Sequence, residues 1–92
     1  MRDFTQLDSH CFKAFYAAAE LLNFTMAARQ AGMTQSGVSQ HIAKLEGQLG
    51  VALFQRNGRT VLLTDAGSHL RRHIESYLDG ADALMETLSK EE

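Results

Sequence analysis

Gln35, Ser36, Ser39 and Gln40 place two amides and two hydroxyls along one side of the stretch MTQSGVSQHIAKLE. A glutamine amide donates and accepts at once, and a serine hydroxyl does either. Such groups suit hydrogen-bond reading of base edges, where Gln pairs with adenine through N6 and N7 and Ser meets several bases. The opposite side carries Val38, Ile42 and Leu45 at the spacing of one α-helical face. An ordinary solvated face would carry Glu and Lys, better helix formers than Gln and Ser. Here Lys44 is the one charge on the polar side, and an acidic row, which phosphate would repel, is missing. Each polar residue alone reads as plain surface; four on one face ask for a partner.

The flanking sequence says how this helix is held. Thr34 is placed to cap it, and Gly50 to stop it after about Leu49. Upstream, Thr25 is read as the N-cap of a short helix through Ala31, with Ala27, Ala28 and Ala31 inward and Gly32 ending it. Two helices separated by a turn of about three residues that contains glycine form a helix-turn-helix. The small alanines let the helices cross closely. In such a motif the second helix enters the major groove, its N-terminal residues against base edges.

Before it, a first helix is expected from Asp8 as N-cap, with Leu7 and Phe12 as a hydrophobic staple and Asn23–Phe24 as its end. Cys11, Phe15, Ala18, Ala19 and Leu22 continue its buried stripe, which makes Cys11 a small core residue rather than a reactive thiol. After it comes VALFQRNGRTVLLT, in which Asn57-Gly58 lies between two apolar runs and predicts a type I′ hairpin. Arg56 and Arg59 would then flank the tip of a wing, within reach of phosphate or a minor groove. The hairpin must pack on the helices through Leu53, Phe54 and Val61, since two strands cannot stand alone.

From Thr64 to about Ser89 one long helix is predicted. Leu70, Ile74, Tyr77, Ala81, Leu84 and Leu88 alternate spacings of four and three, a heptad-like seam. A helix this long outruns so small a domain, and an uncovered seam marks a partner helix, most simply a second copy of the chain. Gly67 and Gly80 weaken this helix by about 1 kcal/mol each relative to alanine.

Composition bounds the alternatives. At 92 residues, 45% hydrophobic and without proline, the chain is one small folded domain at most. Its longest apolar run, Ala14 to Ala19, cannot span a bilayer, and one cysteine cannot staple the fold, so a cytoplasmic location is the default. The net charge of −2 hides a split. Residues 25–73 balance to +4 (Arg29, Lys44, Arg56, Arg59, Arg71, Arg72 against Glu46, Asp65), while residues 74–92 balance to −5. A basic middle can attract phosphate whatever the total. Besides Arg56 and Arg59, the candidates for backbone contact are Lys44, Arg29 and Arg72, with Thr25 and Thr34 at helix starts that favour phosphate.

No glycine-rich phosphate loop or supported Cys-His or Ser-His arrangement argues for an enzyme. Asp65, His69 and His73 at i, i+4, i+8 have a spacing that can bind a metal, but lack a fourth ligand and read more simply as an exposed helix face. A winged helix used only for protein–protein contact is the second rival.

The run from about Phe12 to Leu70, including NFTMAARQAGMTQSGVSQHIAKLEGQLGVALFQR and RTVLLTDAG, resembles the N-terminal DNA-binding domain of LysR-type bacterial transcriptional regulators. The resemblance implies a mainly α fold, a winged helix-turn-helix over 1–64 with a two-stranded wing, followed over 65–92 by a long linker helix for dimerisation. It implies binding of double-stranded DNA by a homodimer, or a tetramer in the full-length protein. Base contacts would fall on Gln35, Ser36, Ser39 and Gln40, with Arg56 and Arg59 on the wing. Neither catalysis, metal, other cofactor nor membrane is implied. A small-molecule effector would act only through a C-terminal domain that this chain does not include. Gly37 stands where the family commonly has Ala or Thr, and Ser36 where it often has Pro, departures that would loosen the first turn of the recognition helix or alter its base preference.

Overall fold

The computed structural model describes residues 9–58 and 60–90. In chain order these form α1 (Ser9–Leu21), α2 (Phe24–Ala31), α3 (Gln35–Leu49), β1 (Phe54–Asn57), β2 (Thr60–Leu63) and α4 (Asp65–Lys90). The expected mainly helical winged helix-turn-helix with a long C-terminal helix is therefore the observed fold. Asp8 and Leu7, the expected cap and staple of α1, and Arg59 lie outside the described residues.

One core joins the first three helices and the wing. Cys11, Ala14, Phe15, Ala18 and Ala19 of α1 are buried against Ala27, Ala28 and Ala31 of α2 and Val38, Ile42 and Leu45 of α3. Leu53 and Phe54 close this core from the wing, with Val61 and Leu63 packed on its edge. Phe54 meets the rings of Phe15 and Phe24 at centroid distances of 5.5 and 5.4 Å, the second edge-on. Leu22 departs from its expected place in the stripe. It follows the end of α1 in a left-handed conformation (φ 50) and is exposed.

That departure moves the start of α2. Asn23 rather than Thr25 is the N-cap, its Oδ1 accepting from the Met26 amide at 2.9 Å. Thr25 is the second residue of the helix, and Phe24, expected to finish α1, is its buried first residue. Asparagine outranks threonine as a cap, and the earlier start buries the Phe24 ring. The rest of the motif follows the sequence. Gly32 takes φ 68 and its N–H satisfies the Ala28 and Arg29 carbonyls, while Thr34 caps α3 by accepting from the Gly37 amide.

The wing is also shifted by one residue. Asn57 pairs with Thr60, Arg56 with Val61 and Phe54 with Leu63, so Asn57 belongs to β1 rather than to the turn. Both registers keep Phe54, Val61 and Leu63 on one face, so the apolar pattern alone does not choose between them. A turn centred on Asn57-Gly58 would set Arg56 opposite Arg59, and like charges directly opposite destabilise a hairpin. The observed register avoids that and uses Gly58, at φ 63, for the left-handed position.

Two contacts fix the wing to the helices. The Glu46 carboxylate, in the last turn of α3, accepts from the amides of Leu53 at 2.7 Å and Phe54 at 3.3 Å. An acid is unfavourable at a helix C-terminus, and the two amides offset that here. Glu46→Ala should destabilise the domain by ~1.5–3 kcal/mol through the two abandoned amides, with Glu46→Gln intermediate. Melting curves of the three proteins check this, and equal melting temperatures would remove the carboxylate's role. Secondly, Thr64 caps α4 by accepting from the Gly67 amide at 3.0 Å, while its hydroxyl donates to the Ala52 carbonyl at 2.6 Å.

At ~1.5 Å per residue the 26-residue α4 is ~39 Å long. Leu70 and Ile74 pack on the core. Farther out the seam is bare: Tyr77 is 75% exposed, Leu84 59% and Leu88 53%. No helix among the described residues is long and apolar enough to cross a membrane.

Candidate nucleic-acid interface

The exposed flank of α3 is built from its own burial pattern. Val38, Ile42 and Leu45 lock one side into the core, which fixes the rotation of the helix and turns Gln35, Ser36, Ser39 and Gln40 outward. These four line a single shallow hollow of about 390 Å³. Its polar groups come from the first two turns of α3. Gly37 lies between them, and a Cβ there would stand 3.0 Å from the Thr34 hydroxyl that caps its own amide. The glycine thus leaves the cap room.

Thr25, although not a cap, reaches this face. Its hydroxyl donates to Oε1 of Gln35 at 3.1 Å, joining the first turn of α2 to the first residue of α3. The contact directs the Gln35 Nε2, a pure donor, away from α2. Lys44 lies exposed two turns farther along α3.

Arg56 differs from the sequence reading. It is not at the wing tip but on β1, on the same strand face as Phe54, and its guanidinium lies 4.1 Å from the centroid of the Phe24 ring. Stacking holds the charge at the start of α2, next to Thr25, rather than at the end of the hairpin. Arg29 is exposed in the last turn of α2, and Arg72 donates from Nη2 toward His69 Nδ1 at 2.9 Å on α4. The described structure therefore gathers Thr25, Gln35, Ser36, Ser39, Gln40 and Arg56 near one end of α2 and α3. Arg72 stands apart from them on another element. Among the described residues no group of three or more His, Cys, Asp or Glu is arranged to hold a metal, so the row Asp65, His69, His73 forms no such site.

A second concavity lies between the helices. An apolar groove of about 720 Å³ runs between α1 and α4, lined by Phe12, Tyr16, Ala31, Ile74, Tyr77 and Leu78 among others. The Tyr16 hydroxyl at its edge is bonded to the Glu20 carboxylate, which raises the phenol above its usual pKa.

Residues 10–68 match the family model described as bacterial regulatory helix-turn-helix protein, lysR family. The chain is 41% identical over 81 residues to the carbapenem-hydrolyzing beta-lactamase transcriptional activator of Enterobacter cloacae, covering 88% of this chain and 28% of that protein. It thus spans little more than a quarter of that relative's length. A crystal structure of a LysR-family transcriptional regulator from Eggerthella lenta is 38% identical with a TM-score of 0.69, covering 74% of this chain and 97% of that one. The crystal structure of the BenM DBD in complex with benA site 1 DNA is 28% identical with a TM-score of 0.79, covering 90% of this chain and 95% of that one. With the helix-turn-helix, the wing and the long final helix all in place, the chain belongs to the LysR family of bacterial regulatory helix-turn-helix proteins.

Proposed function

We propose that this chain is the DNA-binding part of a transcriptional regulator, that α3 reads double-stranded DNA in the major groove, and that it acts without catalysis. The observation that carries this reading is the acid-free hollow of Gln35, Ser36, Ser39 and Gln40, turned outward by the burial of Val38, Ile42 and Leu45. Its side chains are short enough to let the helix axis approach a groove floor. A solved relative in complex with DNA, the BenM DBD with benA site 1, supports DNA as the partner.

Affinity comes mainly from phosphate, met by Arg56 beside the start of α2, by Arg59, by Lys44, and by the amide-rich helix starts near Thr25 and Thr34. The exposed seam of α4 pairs with that of a second copy, and the groove between α1 and α4 continues the apolar surface that such pairing covers. Residues 65–92 would thereby act as the linker and dimerisation helix beside a DNA-binding unit over 1–64. A dimer places two α3 helices on sites about one helical turn apart, or a multiple of it.

Selection of bound duplexes from a random pool supplies the cognate site. On it, Gln35→Ala or Ser39→Ala should weaken binding by ~1–3 kcal/mol while leaving binding to unrelated duplexes nearly unchanged. Equal losses on every duplex would reject base reading. Failure of the parent chain to bind any duplex in dilute salt would instead favour a protein–protein role for the same wing and helices.

A further inference from the structure

We propose that Arg71 fixes the angle at which α4 leaves the helical core, and through it the spacing between half-sites that a dimer accepts. The inference rests on the dimeric DNA-binding reading above. Arg71 ties α4 to α1 by one directed bond and is itself held by a second within α4. Its Nη1 donates to the Ala19 carbonyl at 3.3 Å, across 52 positions of sequence, and its Nε donates to Glu75 Oε1 at 2.9 Å.

Each end of this tie has a physical reason. The Leu22 amide takes the Ala18 carbonyl, so Ala19 presents the next carbonyl, past the end of the α1 ladder and at the negative end of its dipole. A guanidinium there satisfies the carbonyl and meets the partial charge. Glu75, one turn farther along α4, holds the planar fork by its Nε edge, so that the Nη edge faces α1. Beside it Leu70 and Ile74 pack α4 on the core by apolar contact. Apolar contact is non-directional and lets packed helices slide or rotate. The fork supplies the direction.

Leverage makes that direction matter. Past Glu75 about 15 residues of α4 run on, nearly all exposed, a length of ~22 Å. Measured from Arg71 the arm is ~28 Å, so a tilt of ~10° would carry the far end by ~5 Å, more than the rise of one base pair, ~3.4 Å. A helix pinned at one end in this way converts a small change in seat into a change in half-site register.

The test uses this chain and a duplex library with two constant half-sites at variable separation, the half-sites taken from the selected cognate sequence. The parent should enrich one separation. Arg71→Ala and Arg71→Gln should spread enrichment to neighbouring separations, lowering the preference for the parent spacing by about fivefold or more. Arg71→Lys, which lacks the fork, should fall between. Binding to a single half-site and the sedimentation of the dimer should stay unchanged, which separates positioning from general damage. A folded Arg71→Gln protein that keeps the parent's sharp preference overturns the proposal. A parent chain that sediments as a monomer on DNA, or that is indifferent to separation, overturns the dimeric reading and this inference with it.

Discussion

Gly67→Ala is expected to lower the melting temperature by roughly 5–20 °C, whereas Gly47→Ala should raise it by a few degrees. Both glycines sit inside helices, where alanine is favoured by up to ~1 kcal/mol. The difference is what a methyl group would meet. At Gly47 nothing lies within 4 Å. At Gly67 a Cβ would stand 2.2 Å from the Leu53 carbonyl oxygen and 2.8 Å from Leu63 Cδ2. The first obstacle is backbone, so no rotamer change relieves it. Moreover, Leu53 cannot retreat easily, because its amide is held by Glu46 and its carbonyl accepts from the Thr64 amide at 3.0 Å. Room for the methyl must come from moving the start of α4 off the wing, which uncovers Leu53 and loosens Leu63. Overpacking of this kind costs ~1–3 kcal/mol, and in a domain this small each kcal/mol shifts the melting temperature by ~4–8 °C. A Gly67→Ala protein that melts at or above the parent would show that the wing and α4 can separate without loss.

Gly67 also marks the limit of reading this fold from its sequence. The spacing of Val38, Ile42 and Leu45 made α3 legible, and with it the polar flank, because a helix with one buried side has only one way to turn the other. Gly32, Thr34 and Gly50 were legible for similar local reasons: each serves its own few neighbouring residues. What was hidden depends on chain segments far apart in sequence. Gly67 looked like a weak helix residue until Leu53 was found against it. Glu46 enters the sequence reading only as one charge in a balance, and its bonds to the wing amides come from a segment seven and eight residues on. Arg56 looked like a wing-tip charge, because the period-two pattern does not distinguish two registers that keep the same face inward. The opposition of Arg56 and Arg59 in the rejected register was the available signal. The replacement of Thr25 by Asn23 as cap followed from where α1 stopped, which the alanine run left open. Arg71 showed nothing in sequence beyond a charge, since its partner carbonyl belongs to a helix 52 positions earlier.

Leu84→Glu should convert the chain from dimer to monomer and reduce binding to a two-half-site duplex by about a hundredfold or more, while single half-site binding persists. Within one chain Leu84 touches little: it is 59% exposed, ten residues beyond Ile74, the last seam residue packed on the core. Its replacement therefore spares the fold of the helix-turn-helix. Between two chains the outcome is different. A carboxylate buried in an apolar seam without a partner costs far more than the lost leucine contacts. On the outer half of α4 three acids, Asp79, Asp82 and Glu86, stand against one cation, Lys90, so an added carboxylate meets mainly like charge. The loss on DNA then follows from linkage. Two half-sites bound by joined subunits gain an effective concentration that can raise avidity by 10²–10⁴ over one alone. A monomer forfeits that factor but keeps the Gln35–Gln40 flank and the Arg56 guanidinium held over Phe24. Sedimentation and binding to one-half-site and two-half-site duplexes separate the effects. If the variant sediments as the parent does, the seam is not what joins the subunits; if both duplexes weaken alike, the parent gains nothing from a second copy.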